Sequence, residues 1–171
     1  MAPVDIPHPQ RFTAGTLGEP GHRVFFLQAA GADGHIVTLR CEKQQVGALS
    51  EHLARLVADL AEPGRDALEA TDVSFVEPTD VAWVLGRMGV AWDAAASAMV
   101  LVCEELVDEE AGDDSHDDEA PEPASVRLRL SLPQVVAFVE VARELLAAGR
   151  PPCYLCGLPI EPTGHPCPRL N

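Results

Sequence analysis

Lysine is nearly missing from this chain: Lys43 stands with eleven arginines against 27 acidic residues, and the net charge is −15. Binding nucleic acid without sequence preference needs a basic footprint that neutralises phosphates, so nucleic acid is excluded as a partner. No apolar run reaches the ~18 residues that cross a bilayer, and membrane insertion is excluded with it. The opening decapeptide, MAPVDIPHPQ, has neither a basic start nor an apolar stretch. It is no secretory signal, which places the protein in the cytoplasm. No complete catalytic constellation can be picked out, so an enzyme is not the first expectation.

Much of the acidity sits in one place. Residues 108–122 (DEEAGDDSHDDEAPE) hold nine acidic and no basic side chains, which leaves about −6 for the remainder. Asp113, Asp114, Asp117 and Asp118 around His116 invite a calcium or magnesium reading, but the alternating ligands and central glycine of an EF-hand loop are lacking. A solvated, self-repelling loop is expected, since Ala111 and Ala120 alone cannot offset the entropy of ordering it. Replacing 108–122 with a short glycine-containing turn like 31–34 should leave the melting temperature unchanged or raise it. An unfolded variant, or the loss of a bound divalent ion, would make the loop a site instead.

The 171 residues suit one body of roughly 150 residues with a small appendage. Within it, Val37, Leu39 and Cys41 alternate with polar neighbours as a half-buried strand does, and Gln45 and Val46 then open a helix. Val126, Leu128 and Leu130, followed by Gln134 and Val135, repeat this at an offset of 89. Apolar stripes at helical spacing follow both: Val46, Leu49, Leu53, Leu56, Val57 and Leu60, then Val135, Phe138, Ala142, Leu145 and Leu146. Ser131 with Gln134 has capping-box spacing, with Pro133 tolerated in the first turn, and Glu42 with Gln45 takes the same places in the first copy. Gly149 is a natural stop.

Upstream, 12–18 (FTAGTLG) and 83–89 (WVLGRMG) share an aromatic residue and a Gly-x-x-Gly at an offset of 71, with strands at 24–28 and 98–102 behind them. The body, 1–149, therefore reads as strand-strand-strand-helix twice, at about 11–61 and 82–148, joined by a Pro-, Gly- and Asp-rich connector at 62–80. Chance resemblance between two hairpin-plus-helix units is the alternative. Either way the fold class is α+β: an antiparallel sheet of about six strands with both helices on one face.

Five cysteines are an odd number for disulfides, and three of them crowd the end, while Cys41 and Cys103 stand alone in apolar stretches. The tail, 150–171, contains Cys153 and Cys156 as Cys-x2-Cys, then eight residues, then His165 and Cys167 as His-x-Cys. Zinc takes four tetrahedral sulfur and imidazole ligands, and two cysteines three apart reach one ion from a tight turn, with Gly157 where the chain must turn back. A segment this rich in proline and glycine cannot build a core, so the metal would supply its folding energy. A redox dithiol is the competing reading, but the βα setting of such motifs is absent. Three cysteines and a histidine fill the tetrahedron and leave no position for a reacting water, which makes a Zn2+ knuckle structural.

The tail, with FTAGTLGEPGHRVFFLQA near the start and the EKQQV helix opening, resembles an uncharacterised actinobacterial family known only as a domain of unknown function. The resemblance spans nearly the whole chain and fits its arginine-over-lysine bias. It implies a zinc tail and a taxonomic setting, not a reaction.

Weaker features remain. Loop 15–23 (GTLGEPGHR) could hold an anion through backbone amides and Arg23, though its glycines equally serve a hairpin turn. Arg40, Arg127 and Arg129 would emerge on the sheet face away from the helices, where guanidinium groups bind phosphate or carboxylate; a solvated face is the plainer reading. His8, His35 and His52 have no evident partner. Two function classes follow: a non-enzymatic binding or adaptor protein whose partner is another protein, or an enzyme or small-anion-binding protein using loop 15–23 and the arginine face. A deep pocket joining that loop to convergent polar side chains would favour the second.

Overall fold

The computed structural model describes residues 3–60, 71–107, 122–149, 153–158, 160 and 164–170. Its elements are β1 (Val4–Ile6), β2 (Arg11–Leu17), β3 (Val24–Ala30), β4 (Ile36–Cys41), α1 (Lys43–Asp59), β5 (Trp83–Asp93), β6 (Ala98–Glu105), β7 (Ser125–Leu130) and α2 (Leu132–Ala147). The fold is α+β; in chain order four strands precede α1 and three precede α2, where strand-strand-strand-helix was expected twice. The acidic residues 108–121 and the first part of the connector, 61–70, lie outside the described residues.

The sheet has seven strands in the order β1-β7-β6-β5-β4-β3-β2, where six antiparallel strands were expected. The extra strand is β1, which runs parallel to β7 with Ile6 opposite Leu128. A second parallel contact joins β4 to β5, with Leu39 opposite Trp83. These two contacts make the sheet mixed. A parallel ladder needs a crossover between its strands, and α1 supplies the one from β4 to β5.

Chain length forces the sheet to curl. β1 and β2 occupy opposite ends of the strand order, yet only residues 7–10 join them. Five Cα steps of 3.8 Å reach about 19 Å, whereas six flat strand spacings of about 4.8 Å would separate the ends by about 29 Å. The edges therefore approach each other, and both helices share one core with all seven strands. Phe12 of β2 stacks on Phe138 of α2 with ring centroids 4.6 Å apart, which fixes α2 across the seam.

Ladder register corrects the offset of 71. Ala14 faces Leu27, which faces Leu39; Val90 faces Leu101, which faces Leu128. Ala14 thus takes the place of Val90, an offset of 76, and Trp83, opposite Leu39, matches Ile6, opposite Leu128. β5 is one strand with an irregularity between Leu85 and Met88, whereas its counterpart is cut into β1 and β2. The shared Gly-x-x-Gly misled because Gly18 adopts φ +93 outside the strand while Gly89 lies within β5. The later positions do agree: Cys41 and Leu130 are both buried, and Leu53 and Ala142 are fully buried in the same core.

Each helix start is tied to a distant stretch of backbone by the same device, α1 to β5 and α2 to the link between β1 and β2. The Gln45 side chain accepts from Glu42 N at 2.8 Å and donates to Leu85 O and Gly86 O. Gln134 accepts from Ser131 N at 3.0 Å and donates to Pro9 O at 2.6 Å. One amide thus caps the helix with its oxygen and holds strand β5, or the 7–10 link, with its nitrogen.

The described end of the connector is more than a link. Residues 71–76 lie over the outer face of β2 and β3, where Gln28 and Thr13 are buried. Gln28 Nε2 donates to Val76 O at 2.7 Å while its Oε1 accepts from Val76 N, and Thr13 Oγ1 donates to Val73 O at 2.8 Å. The Phe75 ring lies against Phe26 and over Gly15. Covering both faces is why β3 (VFFLQAA) is buried almost throughout.

Candidate metal centre

The tail begins after α2, whose end is closed by Ala148 N donating to Glu144 O at 2.9 Å. Gly157 N donates to Cys153 O at 2.8 Å and Cys153 N to Leu158 O at 2.7 Å, which folds 153–158 into a tight knuckle. Gly157 makes the reversal at φ +75, a conformation costly for any residue with a Cβ. Arg169 Nη1 donates to Leu155 O at 2.9 Å, and Leu170 N to Cys167 O at 3.0 Å, so the second half of the tail is bonded back onto the first.

This brings together the four expected ligands. The donor atoms of Cys153, Cys156, His165 and Cys167 all lie within 4.8 Å of one another and can hold a metal ion. Cys153 Sγ is 3.9 Å from Cys167 Sγ, and Cys156 Sγ is 3.8 Å from His165 Nε2. A disulfide needs sulfurs ~2.05 Å apart, so these are separate thiols. Cys153 and Cys167 are buried, while Cys156 and His165 are partly exposed.

The electrostatics are those of crowded thiols. Hydrogen bonds from the Cys156 amide, His165 and the Leu155 amide pull the Cys153 thiol down to about 6, whereas desolvation first, and the neighbouring thiols next, push Cys156 up. Several thiolates this close repel one another, and a shared cation removes that conflict. Elsewhere, burial pushes Cys41 and Cys103 up to about 12, as expected of inert core thiols.

Of the four arginines, Arg127 and Arg129 share the outer face of β7, two residues apart, while Arg23 and Arg40 lie elsewhere. Arg23 lines a cavity of about 290 Å³ with Lys43 and Gly149. Arg40 is exposed on β4, and Arg127, also exposed, sits on β7 opposite Asp5. β5 and β6 stand between β4 and β7. Arg129, half-buried, lines a different cavity of about 600 Å³. The expected loop 15–23 is shorter: 15–17 pair with β3 as the end of β2, and 18–23 form the hairpin connection, with His22 N donating to Glu19 O at 2.9 Å. Neither His35 nor His52 lines these cavities, but His8 lines the larger one.

Two features escaped the sequence reading. One is the Gln28 clamp on Val76, whose only signal was a lone polar residue inside an apolar strand. The other is the large cavity beside residues 7–10, for which no local pattern exists. Among the described residues no helix is long and apolar enough to cross a membrane.

One family, described as Protein of unknown function (DUF3090), matches residues 5–167 and so takes in all four candidate ligands. No match is found among curated proteins.

Proposed function

We propose, from the premise that this chain belongs to the DUF3090 family of proteins of unknown function, that it is a zinc-stapled binding protein. Its four tail ligands hold one structural Zn2+. The spacing of the donor atoms carries this reading. Zn–S bonds of about 2.3 Å and Zn–N bonds of about 2.05 Å in a tetrahedron place two sulfurs about 3.8 Å apart and a sulfur and a nitrogen about 3.6 Å apart, beside the 3.9 Å found for Cys153 with Cys167 and the 3.8 Å for Cys156 with His165. Zinc rather than a harder cation suits a donor set of three sulfurs and one imidazole. With all four positions filled by protein, the site has no place for substrate or a reacting water.

The binding role rests on what the tail exposes. Tyr154 is 89% and Leu170 70% exposed, large apolar side chains of the kind that anchor protein interfaces or rim them. We read the chain as a body at 1–149 made of two related units and a tail at 150–171 that presents these residues to a partner protein. A cytoplasmic setting, where thiols stay reduced, suits such a site. The alternative use of loop 15–23 with Arg23, Arg40, Arg127 and Arg129 as one anion site gains no support from their separate positions.

Elemental analysis of protein purified under reducing conditions, without an affinity metal, tests the zinc. About one zinc per chain is expected. Metal-free folded protein, or a Cys153 to Cys156 disulfide in a fresh preparation, would defeat the assignment.

A further inference from the structure

We propose that the cavity at the seam of the curled sheet binds a small hydroxylated oxyanion, a phosphate or a carboxylate, with Arg129 as the residue that recognises the charge. The volume of about 600 Å³ lies within the range of small-molecule sites. Its position follows from a break in one strand that the second unit lacks. In the second unit β5 continues from its pairing with β4 into its ladder with β6. In the first, the equivalent strand is cut at residues 7–10, and Gln134 holds Pro9 O instead of a continuing strand. The break withdraws backbone from the seam and leaves a cleft lined by side chains.

The lining is mixed: His8, Gln10, Asp72, Ser97, Arg129 and Ser131 border it among prolines and alanines. Arg129 Nε is buried and has no hydrogen-bond partner, and among the described residues no carboxylate forms an ion pair with this side chain. A buried, unpaired donor on a charged group is costly, and a planar guanidinium is satisfied best by a two-oxygen acceptor. Asp72 does not fill that role. Its carboxylate accepts from Ser74 N at 2.8 Å and lies 3.7 Å from Arg11, and these contacts hold it ionised below the usual carboxylate range.

The start of α2 borders the cavity but adds little attraction for an anion. Pro133 has no N–H, and the Gln134 amide already donates to Ser131 Oγ at 3.4 Å. Recognition of charge therefore falls to Arg129. Asp72 disfavours a second negative group and suits a ligand hydroxyl. A long polyanion is excluded by the same carboxylate and by the overall charge of −15.

The sheet provides an internal control. Arg40 faces Phe26 on β3 as Arg129 faces Val100 on β6, so both point away from the core. Arg40, however, is exposed and borders neither the 600 Å³ nor the 290 Å³ cavity. NMR titration of the full metal-loaded chain with inorganic phosphate and, separately, with malate tests the proposal and separates its two sources of charge. Saturable shifts at residues 7–10, 96–98 and 129–134 are expected with one of them. Arg129→Gln should weaken binding roughly tenfold or more, and Arg40→Gln should leave it unchanged. Ser97 adopts φ +48, so Ser97→Gly removes its hydroxyl without straining the turn and should weaken binding a few-fold even if Arg129→Gln fails to fold. No saturable shift with either anion, or equal weakening by Arg40→Gln and Arg129→Gln, would overturn the proposal. Metal analysis of the same sample keeps this result separate from the fate of the zinc assignment.

Discussion

Cys156→Ser should strip the chain of its zinc and expose the tail to protease, while the melting temperature of the body stays close to that of the parent. A serine hydroxyl is a poor zinc ligand at neutral pH, and a three-ligand remnant cannot satisfy a structural tetrahedral site. Because 150–171 holds too little apolar surface to order itself, losing the metal amounts to local unfolding. Cys41→Ser should do the reverse. Cys41 is 4% exposed in the core beside α1, so its hydroxyl would be buried among apolar groups, at a cost of about 1–3 kcal/mol to the body. Its zinc content should not change. Metal analysis and thermal melts on the two variants separate the outcomes, and a Cys156→Ser protein that keeps one zinc, or whose body melts with its tail, would contradict the division.

What could be read from the sequence is what local chemistry determines. The tail cluster was legible because its three cysteines and one histidine lie within fifteen residues, at spacings that one shared metal ion would require. β3, β4, β6, β7 and both helices were legible because alternation, helical stripes and the Gln45 and Gln134 caps act within one or two turns of chain. β1 was not, since Val4–Ile6 is three residues long and becomes a strand only through its partner β7. The offset of the first strands failed for a related reason. Glycine spacing marks where a chain bends, but ladder register decides which residues correspond, and register is a property of the paired strand. The arginine face was legible only along one strand: Arg127 and Arg129 share β7, but outward orientation says nothing of distance across a sheet, and β5 and β6 intervene between them and Arg40.

The segment at 71–76 gives the sharpest case, because its place is determined by the sheet it covers. Nothing in TDVSFV demands an extended conformation. The demand comes from Gln28 and Thr13, buried polar groups on the outer face: Thr38 Oγ1 and Ala14 O offer them only longer bonds, and the Val76 and Val73 backbone supplies the shorter ones and the donor to Gln28 Oε1. The cover also shields Phe26, Gln28 and Ala30, which face away from the main core yet are buried.

Gly15→Ala should therefore be far more damaging than an alanine in an extended strand normally is. An added Cβ at Gly15 would overlap the Phe75 ring, and neither the paired β2 backbone nor a ring packed beside Phe26 can shift freely. We expect a loss of about 2–4 kcal/mol, at or above the upper end of ordinary overpacking costs. Phe75→Ala alone should cost about 1–3 kcal/mol, as it uncovers Phe26 and leaves a gap over Gly15. Combined, the two changes should fall well short of additive, since removing the ring makes room for the new methyl; a coupling of about 1–3 kcal/mol in favour of the double variant is expected. Denaturant unfolding of the four proteins measures it. Additive losses would mean that the ring does not rest on Gly15, and that the clamp from Gln28 to Val76 holds the segment without it.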